Sequence, residues 1–223
     1  MSRSADNYAH LVRKIDGFIR KYYLNRVIKG SIFMAASLFA AFILVAFAEY
    51  YGRFNPVVRT FLFYTFILGN LAILTTYIII PLLSYFKLGQ SISHEQASDI
   101  IGNHFQPVKD KLLNTLQLKK LSDINPDQRA LIDASIDQKI AELRPVPFSS
   151  AVHIEDNRKY VKYALLPLCA IVIVFFAAPS ILSESTDRLL HYNKRFIKKA
   201  PFSFVLINEN LSAIQGDDYT LEV

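Results

Sequence analysis

"RTFLFYTFILGNLAILTTYIIIPLLSYFK", residues 59 to 87, holds 27 consecutive residues without a charge between Arg59 and Lys87. A helix needs about 20 apolar residues to cover a bilayer core roughly 30 Å thick. Two other stretches reach that length, Gly30 to Ala48 with 19 residues and Tyr163 to Ser183 with 21. One such run can be the central helix of a large soluble protein. A chain of 223 residues has too little other surface to wrap three helices that are apolar on every side. The expected fold is a mainly α membrane protein with transmembrane helices at 30–51, 60–86 and 163–183. In the quoted stretch, 27 helical residues would run about 40 Å, longer than the hydrocarbon core, so the helix must tilt, bend or end early. Pro81 lacks the N–H of a helix interior and clashes with the preceding turn, so a kink is expected near it.

The first run follows 29 polar and basic residues, which is unlike a cleavable signal peptide and reads as a signal anchor. Residues 1–29 carry seven Lys or Arg against two acids, whereas 87–162 carry eleven against ten and 184–223 five against six. Most of the net charge of +6 therefore sits beside the first span, a placement suited to anionic headgroups and cytoplasmic retention and unlike a nucleic-acid groove. The positive-inside contrast across that span places the N-terminus in the cytosol and the C-terminus outside. The expected location is the cytoplasmic (inner) membrane, multi-pass. Leu11, Ile15, Phe18 and Tyr22 recur at helical spacing between basic residues. Segment 1–29 thus reads as an amphipathic interfacial helix, with Arg13, Lys14, Arg20, Lys21, Arg26 and Lys29 meeting lipid headgroups. The alternative is a helix packed on the cytosolic loop.

Segment 87–162 reads as a cytosolic three-helix module. Ser93 to Gln96 and Asn125 to Gln128 both have capping-box form, and apolar periodicity predicts helices over 93–105, 108–120 and 126–144. Residues 184–200 read as a linker. Beyond it, alternation at Phe202, Phe204 and Leu206, a Gly216-Asp217-Asp218 turn and renewed alternation predict the opening strands of a β domain over 201–223. Two strands are marginal alone, so the natural protein is expected to continue past Val223.

Chemistry-bearing motifs are scarce. "HEQAS" at 94–98 lacks the second His of a zincin helix, the five histidines show no ligand spacing, and the glycines form no phosphate loop. Cys169 is the single cysteine, so no internal disulfide can form. No cofactor, metal or catalytic residue is expected. Within the spans the strongest polar group is Asn70, read as a hydrogen-bonding contact between helices, with Ala36 and Ala40 as small residues allowing close approach.

"EYYGRFNPVVRTFLFYTFIL", "YIIIPLLSYFKLGQSISHEQASDIIGNHF", "VKDKLLNTLQL" and "APFSFVLINENLSAIQGDDYTLEV" together resemble the N-terminal region of a family of large, uncharacterised membrane proteins of Bacteroidota, a domain-of-unknown-function family. The resemblance implies that the β segment opens an immunoglobulin-like extracytoplasmic domain, and it points to a MoxR-type ATPase as a partner. The resulting expectation is a non-catalytic membrane anchor and interaction protein. Its partners would be the lipid bilayer, proteins of the envelope or cytosol and further copies of itself, and no nucleic acid. The alternative is a subunit of a transport or lipid-handling assembly.

Overall fold

A computed structural model describes residues 3–124 and 128–196. Everything described is helical or connecting chain. The β segment expected over 201–223, the Asn125 cap and the end of the expected linker lie outside the described residues.

The organising element is α1, Arg3–Gly52, a single helix of 50 residues that at 1.5 Å per residue runs about 75 Å. Residues 3–29 are therefore continuous with the first apolar run and do not form a helix of their own. No proline interrupts the stretch, and its two internal glycines are tolerated by the ladder. The N-terminal half turns its apolar stripe inward: Leu11, Ile15, Phe18, Ile19 and Tyr23 are buried.

They join a core with α4 (His94–His104), α5 (Lys109–Ile124) and α6 (Arg129–Leu143). Ala97, Ile101, Leu112, Leu116, Ile136, Ile140 and Leu143 are its other helical members, closed by Phe148 and Val152. Burying each large side chain is worth about 1.5–3 kcal/mol, which is why the basic N-terminal helix is held by the module. Ser93 starts α4 with a full capping box: its hydroxyl accepts from the Gln96 N–H, and the Gln96 side chain accepts from the Ser93 N–H. Tyr23 of α1 fixes the entry to that helix, its hydroxyl accepting from the Ile92 N–H at 2.9 Å.

Three helical stretches are long and apolar enough to cross a membrane: the C-terminal part of α1, Pro56–Tyr85 and the stretch ending at Ala177. The second consists of α2 (Pro56–Leu74), a π turn (Thr75–Ile79) and α3 (Ile80–Tyr85). It starts four residues earlier than expected, because Asn55 caps α2 by accepting from the Val58 N–H at 2.9 Å and Pro56 sits where a first helical residue tolerates proline. Pro81 is accommodated by the π turn on its N-terminal side, where the Ile80 N–H reaches the Thr75 carbonyl.

The missing N–H of Pro81 would, in an unbroken α-helix, point at the Tyr77 carbonyl. That carbonyl lies against Gly30 of α1. A Cβ on Gly30 would come within 2.1 Å of the Tyr77 oxygen, so only glycine allows the crossing. Gly30 facing Tyr77 and Glu49 facing Arg59 hold the two helices antiparallel at both ends of their contact.

The third candidate span includes α7, Arg158–Ala177, with Pro167 buried inside it. It does not continue to 183. Ala178 leaves the helical region at φ −149°, ψ 67°, and Pro179 starts α8, Pro179–Leu190. Residues 184–190 of the segment expected as a linker are thus helix, with Ser185 and Leu189 buried. Both α7 and α8 pack on α1, as does the α2–α3 arm.

Candidate functional site

The most enclosed ion pair among the described residues lies where α1 ends. After Gly52 the chain reverses within Arg53–Asn55, with Arg53 in the left-handed region at φ 42°. The Asn55 cap then fixes the first turn of α2 so that Arg59 returns to the last turn of α1. Arg59 Nε donates to Glu49 Oε1 at 3.0 Å, and Nη2 stands 3.0 Å from the same oxygen. Nη2 also donates to the Phe54 carbonyl at 2.8 Å, and Nη1 to the Lys194 carbonyl at 2.9 Å. The side chains are 2% exposed for Arg59 and 0% for Glu49.

Arg188 of α8 approaches Glu49 Oε1 to 3.8 Å, and the Phe196 ring lies 5.0 Å from the Arg59 guanidinium and 5.6 Å from that of Arg188. The guanidinium of Arg59 thus reaches three parts of the structure at once: the end of α1 through Nε and Nη2, the 53–55 connector through Nη2, and the segment after α8 through Nη1. Ser185 adds a further tie, donating to the Ala46 carbonyl at 2.8 Å. Such an arrangement clamps helix ends together, the planar fork of arginine being suited to it. Glu49 Oε2 is buried without a hydrogen-bond partner among the described residues. Beside the clamp a concavity of about 630 Å³ is lined by Arg53, Asn193, Arg195 and Phe196 among others.

Glu49 falls inside the span expected over 30–51, where apolar length alone does not single it out. The available signal was its spacing: an acid and a base ten positions apart flank a Gly- and Pro-containing connector, so the hairpin must bring them together.

Asn70 is buried on α2. Its amide donates to the Phe66 carbonyl of its own helix at 2.8 Å, while Oδ1 is buried without a partner among the described residues. Ala36 and Ala40 are half-buried on α1.

The six basic residues of the N-terminal stretch have distinct places. Lys14 Nζ donates to the carbonyls of Arg144 and Val146 at 2.8 and 2.9 Å and lies over the Phe148 ring, and burial pulls its pKa below the ordinary lysine value. Lys21 donates to the Ser149 carbonyl at 2.9 Å. Both close the chain after α6 onto α1. Arg13 Nε bonds the Ala9 carbonyl of its own helix. Arg20 lies over Tyr85, Arg26 over Tyr22, and Lys29 over Tyr160. Half of the set is therefore engaged by backbone carbonyls.

A third polar cluster ties the module to the second span. Asp16 of α1 accepts from Lys87 Nζ at 2.9 Å and meets His94 Nε2 at 3.0 Å, so one carboxylate holds both ends of the 86–94 connector. Partial burial raises the Asp16 pKa, and the hydrogen bonds and charges of Lys87 and His94 outweigh it, leaving the group below its ordinary value.

Among the described residues no group of three or more His, Cys, Asp or Glu is arranged to hold a metal ion. No family model matches the chain, and neither a curated protein nor a solved structure does. The resemblance drawn from the sequence therefore stands on the quoted residues alone.

Proposed function

We propose that the chain is a membrane anchor and interaction protein that holds a cytosolic helical module and an extracytoplasmic domain on one continuous support. The observation that carries this reading is α1, which contributes Leu11, Ile15 and Phe18 to the module core and, without a break, Glu49 to the clamp at the opposite end. A helix shared by core and span fixes the module's rotation and height relative to the bilayer, as an anchor requires. The excess of Lys and Arg ahead of the first span favours a cytosolic module and an extracytoplasmic clamp. No reaction centre enters the reading, because the most buried charged group is spent on joining helix ends.

The test is purification of the whole protein from native membranes in mild detergent, with quantitative mass spectrometry of what accompanies it. A stoichiometric partner, released when the exposed module residues Gln117 and Gln138 are changed to Glu or Lys, supports the anchor. Recovery solely as a defined homo-oligomer contradicts it. The second reading, a subunit of a transport or lipid-handling assembly, is favoured by Asn70 Oδ1, buried within a span without a partner among the described residues. Asn70→Leu separates the two: lost transport with assembly intact supports a path through the helices.

A further inference from the structure

Where α7 begins beside α1, the structure holds a concavity of about 300 Å³ that the anchor reading leaves unused. Its position is set by sequence. Lys29 is the last charged residue before the apolar run of α1, and Lys159 and Tyr160 lie just before that of α7. If these runs cross the bilayer, the concavity opens at the level of its headgroups.

The floor is a fixed polar contact: Asn157 Nδ2 donates to Asn25 Oδ1 at 2.6 Å, with Asn157 5% exposed. Lys29 Nζ lies 4.7 Å and Lys159 Nζ 5.3 Å from the centroid of the same Tyr160 ring. Two ammonium groups are thus gathered around one aromatic side chain. Neither is paired with a carboxylate among the described residues. Asp156 also lines the concavity and is exposed. Two cations against one carboxylate leave one positive charge, the complement of a single phosphodiester. Ammonium groups at the membrane surface attract anionic lipid, and a basic recess between spans adds geometric selection to that attraction.

We infer that this recess between α1 and α7 binds the phosphodiester headgroup of an anionic membrane phospholipid, with Lys29 and Lys159 as its cationic contacts. The ligand is lipid rather than free phosphate because the apolar faces of α1 and α7 continue from the recess and offer a course for acyl chains. The inference rests on the membrane-spanning part of the proposed function.

The test titrates the whole protein in non-ionic detergent with dioctanoyl phosphatidylglycerol, dioctanoyl phosphatidylcholine or inorganic phosphate, following the thermal unfolding midpoint. The expected result is a saturable rise with phosphatidylglycerol alone. Lys29→Gln with Lys159→Gln should weaken it at least tenfold, while Arg158→Gln with Lys162→Gln, the same charge change beside the recess, should alter it by less than twofold. An equal response to phosphatidylcholine, saturation by inorganic phosphate, or equal weakening in both variants would overturn the assignment. Should the first pair fail to fold, Lys159→Gln alone is read against Lys162→Gln by the same criteria. Alkaline extraction of membranes carrying the unmodified protein checks bilayer insertion separately, so failure of the lipid site and failure of the membrane reading are distinguishable.

Discussion

Arg59 and Glu49 face each other 3.0 Å apart at the turn between the first two spans, and neither side chain is more than 2% exposed. Arg59 also bonds the carbonyls of Phe54 and Lys194, so a single guanidinium joins α1, its connector and the chain after α8. Removing one partner of such a pair leaves the other charge buried and uncompensated, at a cost of about 3–5 kcal/mol. Glu49→Leu and Arg59→Leu should each lower the unfolding midpoint of the detergent-purified protein strongly. The double variant should lose less than the sum of the two.

A second prediction concerns the close crossing of Gly30 and Tyr77. A methyl group at Gly30 meets the Tyr77 carbonyl oxygen at 2.1 Å, so Gly30→Ala should destabilise by about 1–3 kcal/mol as the helices part. Pro81→Ala restores the N–H that an α-helix directs at that carbonyl and should remove the need for the π turn. The two changes should therefore be non-additive in a double-mutant cycle read by thermal unfolding. Additive costs would show that the π turn and the crossing are independent.

The continuity of α1 gives a third. One alanine inserted between Lys29 and Gly30 rotates the span relative to the module by about 100°. It should displace Gly30 from Tyr77 and Lys29 from Tyr160, with a clear loss of thermal stability. The same insertion between Gly89 and Gln90, in the exposed connector, should be tolerated.

Asp16 supplies a pH dependence. Burial alone would raise its pKa, but the bonds from Lys87 and His94 leave it lowered, so its contribution is present above the unfolded carboxylate value of about 3.9 and is lost as pH falls through the lower folded value. The side chain is 28% exposed, and a pair of this kind is worth under about 1 kcal/mol. Asp16→Asn should lower the thermal midpoint at pH 7, and the difference from the unmodified protein should shrink as pH falls below the unfolded carboxylate value of about 3.9.

The three apolar stretches were legible in the sequence because length without charge is a one-dimensional property, and the start of α4 was legible because a capping box is local. The union of residues 3–29 with the first span was not. Amphipathic periodicity says that Leu11, Ile15 and Phe18 share a face, and bilayer and protein core satisfy that face equally well. The end of the third span was missed because Ser180 to Ser183 prolong the uncharged run past Pro179, so composition outvoted the proline. The clamp was hidden for another reason. Arg188 and the Lys194 carbonyl come from more than a hundred positions away, a distance that only the folded chain closes. Asn70 was visible as a polar residue in a span, whereas the bond to Phe66 depends on its rotamer.

The central claim is that the helical module and the Glu49–Arg59 clamp stand on opposite faces of a membrane, with the module in the cytosol. Cys169 is exposed on α7, so Cys169→Ala provides the background. Single cysteines are then placed at the exposed module residue Gln138 and at Asn193 beside the clamp. The most direct measurement is their labelling by a membrane-impermeant thiol reagent in cells stripped of any outer barrier, before and after lysis. The account predicts that Asn193→Cys reacts in intact cells and Gln138→Cys only after lysis. Reaction of Gln138→Cys in intact cells would contradict it.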